Sequence, residues 1–144
     1  MKRLALFLIT ACLSAGAMAA DVIKSDRKEV FGDITVHYNT FNSTFLTPDI
    51  ADAAGLIRDK TQGVINVSVL KDGKPLKAEV SGTVKDLTSS SVTLNFKEVA
   101  EPNATYYIAQ YPVKQQETRT FNIQVKTGDK INTLNFNQEL FPGE

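Results

Sequence analysis

The sequence predicts an all-β fold: an immunoglobulin- or fibronectin-like antiparallel β-sandwich of about seven strands, with one short helix after the first long strand. Three observations carry this expectation. Apolar residues recur with a period of two through seven runs of strand length. Tight-turn signals separate those runs: "KDGK" at Lys71–Lys74 contains Asp-Gly, a strong hairpin signal, and "TGDK" at Thr127–Lys130 is a second. No internal repeat, linker or low-complexity tract interrupts them, so residues 20–144 read as a single domain.

The chain begins with a leader. Lys2 and Arg3 form a positive n-region, "LALFLITACLSAGA" a short apolar run, and "AMA" at Ala17–Ala19 a small-x-small cleavage site. Residues 1–19 are therefore expected to be a signal peptide, with Ala20 as the mature first residue and the periplasm as destination. A lipoprotein anchored at Cys12 is the rival reading. It leaves only Leu4–Ala11 as apolar run and the Ala-x-Ala site unused. The mixed-charge stretch from Asp21 reads as a loose arm until about Val30.

The strand runs come next, in order. "DITVHY" puts Ile34, Val36 and Tyr38 on one face. "TPDIADAAG" interrupts with a helix: Thr47 is placed to cap it, Pro48 to open it and Gly55 to stop it. "VINVSVL" aligns Ile65, Val67 and Val69, and "AEVSGTV" aligns Val80 and Val84. "SVTLNFKEV" is a single run with Val92, Leu94 and Phe96 inward. "TYYIAQY", "TFNIQVK" and "TLNFNQEL" complete the set. One irregularity stands out. Ile34, Val36 and Tyr38 are even-numbered, whereas Phe41 and Phe45 are odd. A change of inward parity predicts a bulge or a switch between sheets near Asn39.

"FGDITVHYNTFNSTFLTPDIADAAGLIRDKTQGVINVSVL", with the later "ATYYIAQY" and "LNFNQELF", resembles the domain-of-unknown-function family 4426, small exported proteins of Gram-negative bacteria. The resemblance spans nearly all of the mature chain, and "HYNTFNSTFL" carries most of it. It implies a periplasmic immunoglobulin- or fibronectin-like sandwich. It brings no catalytic or binding residues with it.

Composition narrows the chemistry. Without residues 1–19 the chain has no Cys, Met or Trp, and His37 is its one histidine. Disulfides, thiol chemistry and a structural zinc site are excluded, and a copper carrier lacks its usual Met and His ligands. Fourteen basic side chains face sixteen acidic ones, so nothing electrostatic favours nucleic acid. An integral membrane protein is not expected either. No cofactor and no metal site are read from the residues, and no catalytic residue is assigned.

Two groups remain as candidate binding residues. His37, Tyr38 and Asn39 sit at the parity change. Asp33, the nearest carboxylate, lies four residues from His37, roughly 13 Å along a strand, which is too far for a catalytic pair. Tyr107 and Tyr111 share one face with Ala109; if Tyr106 and Ile108 are core, they form an outward aromatic stripe of the kind binding surfaces use. The expected function is a non-enzymatic module binding an unidentified protein or envelope component. The alternatives are a small-ligand cleft near His37 and the helix, and, last, an enzyme or metal protein centred on His37.

Overall fold

The computed structural model describes residues 27–143. The expected leader and cleavage site, with Cys12, lie outside the described residues. Among these residues ten strands and one helix succeed one another: β1 Arg27–Phe31, β2 Ile34–Asn42, a 3-10 turn Ser43–Phe45, α1 Pro48–Ala54, β3 Gln62–Lys71, β4 Lys74–Pro75, β5 Glu79–Lys85, β6 Ser91–Leu94, β7 Lys97–Glu101, β8 Ala104–Pro112, β9 Glu117–Thr127 and β10 Lys130–Leu140. They form two antiparallel sheets. The larger has the order β1-β2-β3-β8-β7, with β4 paired to β3; the smaller has β10-β9-β5-β6. This is the predicted all-β sandwich.

The turns work as their chemistry requires. Asp72 and Gly73 both take positive φ (54° and 78°), the pattern of a two-residue hairpin turn between β3 and β4. Gly128, at φ 62°, turns β9 into β10. Thr47 caps α1, its hydroxyl accepting from the Ile50 amide at 3.3 Å, with Pro48 next and Gly55 left-handed at the end.

The inner faces of the sheets enclose the main core. Val36, Ile65, Val67, Phe121, Ile123, Val125 and Leu134 are fully buried there. Aromatic rings thread it: Tyr38 packs on Phe136 (4.6 Å between centroids), Phe136 stacks on Phe121 (5.0 Å), and Phe121 meets Tyr111 edge-on (5.3 Å). Arg27 lies over the Phe136 ring at 5.2 Å and hydrogen-bonds Gln138, joining β1 to β10 across the side of the sandwich.

A second, smaller core lies on the outer face of the larger sheet. Ala51, Ala54 and Leu46 cover Val64, Val99 and Ile108, with Phe41, Ile50, Leu56 and Tyr106 around them. The middle of that sheet is thus covered on both faces, as in layered folds.

Several expectations need correction. The supposed arm is in part a strand: Arg27–Phe31 pairs with Ile34–Tyr38 through the Gly32–Asp33 turn. "SVTLNFKEV" is two strands, β6 in the smaller sheet and β7 in the larger, and Val92 is exposed. No bulge occurs near Asn39. β2 pairs with β3 in unbroken register from Ile34–Lys71 to Asn42–Gly63. The parity changes because Phe41 joins the core beneath α1 on the opposite face, while Phe45 points to solvent at 78% exposure.

Candidate functional site

Beyond Tyr38, β2 runs past the described end of β1, and Asn39–Asn42 continue on β3. Asn42 then ends the strand and organises the 3-10 turn. Its side-chain oxygen accepts from the Thr44 amide (3.0 Å) and hydroxyl (2.9 Å), capping that turn. Its Nδ2 donates to the Lys60 carbonyl at 3.0 Å. Ser43 is fully buried. Its hydroxyl donates to the Asp59 carbonyl at 2.7 Å and accepts from the Asp59 amide at 2.8 Å.

The loop 55–61 is fastened from its other side as well. Gln110 on β8 accepts from the Ile57 amide at 3.2 Å and donates to the Ile57 carbonyl at 2.6 Å. The Asp59 carboxylate accepts from the Thr61 hydroxyl (2.6 Å) and amide (2.8 Å). These bonds, the hydroxyl's first, hold its pKa below the ordinary 3.8. The Gly143 amide donates to the Lys60 carbonyl at 2.8 Å, so the C-terminal segment is tied to the same loop.

Between the 3-10 turn and the C-terminal segment lies a half-open cleft of about 730 Å³. Thr40, Asn42 and Gly63 form one wall, and Gln138, Glu139 and Leu140 the other. Tyr111 and Val113, both buried, also line it. The Tyr111 hydroxyl lies 3.5 Å from the Val64 carbonyl. Burial raises its pKa, against the opposing influence of Arg119 and a hydrogen bond with Thr40. Gly63 allows this placement, because a Cβ there would overlap the Tyr111 ring. Two large aromatic side chains among the lining residues face solvent, Phe45 at 78% exposure and Phe141 at 55%.

The residues singled out in the sequence stand elsewhere or in other roles. His37 and Asn39 lie on the outer face of the larger sheet, opposite Ser68 and Asn66 of β3. Asp33 is engaged with Lys71 at 3.5 Å. Tyr38 faces inward and is core. His37, Tyr38 and Asn39 are all absent from the lining of the cleft. The outward tyrosine stripe does not exist: Tyr107 and Tyr111 are 5% and 1% exposed, inside the sandwich. Tyr106 and Ile108 do face away from them, but α1 covers that side too. The Tyr107 hydroxyl accepts from the Ala78 amide at 2.9 Å and donates to Glu98 at 3.4 Å. Burial is the main cause of its raised pKa. Of the two tyrosines only Tyr111 touches the cleft, as buried lining.

Sequence reasoning missed Phe45 and Phe141. The available signal was a pair of aromatics directly after capping or strand-ending residues, in "NSTFL" and "ELFPG", where strand alternation no longer demands burial.

Two packed antiparallel sheets with a cleft at one end, and no clustered acid–base set among the cleft's lining residues, define a small β-sandwich domain. The chain belongs to the DUF4426 family, described as a domain of unknown function, whose model matches residues 28–143. Among solved structures it is similar to a DUF4426 family protein from Pseudomonas aeruginosa, at 48% identity and a TM-score of 0.80, over 84% of this chain and 98% of that one. It is also similar in fold to FetP of uropathogenic Escherichia coli, at 7% identity and a TM-score of 0.61, over 83% of this chain and 96% of that one. A copper-bound variant of FetP gives 8% identity and 0.64, over 83% and 92%. No curated protein matches the sequence.

Proposed function

We propose that this chain is a non-enzymatic binding module of the periplasm, which holds a segment of a partner protein or envelope component in the cleft between Thr40 and Gly143. The observation that carries this reading is the pair Phe45 and Phe141, large apolar side chains left in water beside a cleft whose walls are hydrogen-bonded in place. Exposed aromatics around a preformed hollow are the usual anchors of recognition. The ionisable groups in the lining suit binding better than acid–base chemistry. Glu139 already accepts from Gln116 at 2.9 Å, and burial keeps the proton on Tyr111. The periplasmic assignment rests on the leader pattern of residues 1–19.

Copper, bound by the FetP variant, enters no part of this reading. Among the described residues no three His, Cys, Asp or Glu side chains come together to hold a metal ion. Among them, too, no helix is long and apolar enough to cross a membrane.

The test is crosslinking in the envelope with the wild-type chain and with Phe45→Ala/Phe141→Ala. Both side chains are exposed, so the double variant is expected to melt within about 1 kcal/mol of wild type and to lose the captured partner. Unchanged capture by the double variant would remove the cleft from the function.

A further inference from the structure

Among the described residues, β1, β7, β6 and β10 stand at the ends of the two sheets. Open edges invite pairing with other chains, and proteins defend them with charge, brevity, proline or bulges. β1 reads RKEVF and β7 KEVAE, each with three charges in five residues. β6 has only four residues. β10 has none of these defences in its own sequence; the Arg27 side chain of β1 reaches it at Phe136 and Gln138, on the inner face. β10 is eleven residues long, pairs with β9 without a bulge from Lys130–Thr127 to Leu140–Glu117, and carries neither charge nor proline from Ile131 to Gln138.

We propose that two copies of this chain associate through β10, antiparallel about a twofold axis at Asn135, joining their smaller sheets into one of eight strands. This register alone pairs all eleven residues. It sets Asn135 opposite the partner's Asn135 and Leu134 opposite the partner's Phe136. Inner-face residues thereby meet inner-face residues, as one continuous sheet with period-two side chains requires. No like charges are opposed. At each end Lys130 faces the partner's uncharged Leu140 and Glu139 the partner's uncharged Ile131, so the self-pairing carries no charge repulsion.

The pairing reaches the cleft. Glu139 and Leu140 line it, and in this register they face the partner's Ile131 and the partner's Lys130. Ile131 is 60% exposed in the single chain. Each cleft therefore gains an apolar side chain and a cation at its rim from the second copy. The association stands independently of what the cleft holds.

The experiment uses the chain from Ala20, which contains no cysteine. Directly opposed residues of an antiparallel pair have Cα atoms about 4.5–5.5 Å apart, within disulfide range. Asn135→Cys is expected to form a disulfide-linked dimer under mild oxidation. Ile131→Cys, far from its counterpart in this register, is expected to remain unlinked. Asn135→Lys opposes two like charges on an exposed position. It is expected to shift the mass by light scattering to that of a monomer while the circular dichroism spectrum stays that of the folded wild-type chain. The proposal is overturned if the wild-type chain is a monomer at all soluble concentrations, since the edge then serves no second copy. It is equally overturned if Ile131→Cys crosslinks and Asn135→Cys does not.

Discussion

Gly63 shows how a single side chain's absence sets the depth of the cleft. The Tyr111 ring occupies the space a Cβ would need. Gly63→Ala is therefore expected to cost about 1–3 kcal/mol, read as a lowered midpoint in chemical denaturation. Asp59 offers a second check, through pH. Its folded pKa lies below 3.8, chiefly through the Thr61 hydroxyl and then the Thr61 amide. A lowered carboxylate pKa contributes stability above the unfolded value, and that contribution is lost as pH falls through the folded one. Asp59→Asn should thus flatten the fall in stability below pH 3.8, while wild type and variant keep parallel profiles near neutrality. Asp86, held down by Thr88 in the same Asp-x-Thr pattern, should preserve part of the acid limb in the variant. At this scale the sequence was only partly legible. Alternation told that Tyr107 and Tyr111 share a face, and they do. It could not tell that both faces of β8 are covered, so the face left to solvent was assigned where none exists.

At the scale of elements, the helix decides that coverage. α1 has seven residues and would not persist alone; its packing on Val64, Val99 and Ile108 sustains it. Thr47→Ala removes the cap that holds its first turn and is expected to cost about 1 kcal/mol, with earlier hydrogen exchange at the Ile50 amide as the local sign. Caps and hairpin turns were legible because their chemistry is local: Thr47, Pro48, Gly55, Asp72 and Gly73 act where they stand. β1 was hidden because RKEVF carries charge rather than alternation, and its pairing with β2 depends on register. The division of β6 from β7 was hidden for the opposite reason. The alternation runs on through Asn95 and Phe96, where the chain passes from one sheet to the other. Phe41 misled by obeying a core that α1, not the opposing sheet, provides.

For the molecule as a whole, two cores sharing one sheet supply the burial that many exported domains supplement with disulfides. Residues 27–143 include no cysteine. Thermal melts of the protein purified from cells should superimpose with and without dithiothreitol; a large shift would mean that the mature chain keeps Cys12 instead of starting at Ala20. The interleaving of the two sheets has its own consequence. Ile65 pairs with Ala109 in one sheet, and Gly82 with Ile123 in the other. Along the chain, β5 and β6 of the second sheet fall between β3 and β8, which pair in the first. Each central pairing closes a loop of about forty residues, a separation that slows folding toward the millisecond-to-second range of sandwich topologies. Until those loops close, the β9–β10 hairpin has its apolar face uncovered. An incompletely folded chain would then need protection from its neighbours during that interval, and the uncharged stretch of β10 is where it would first meet one.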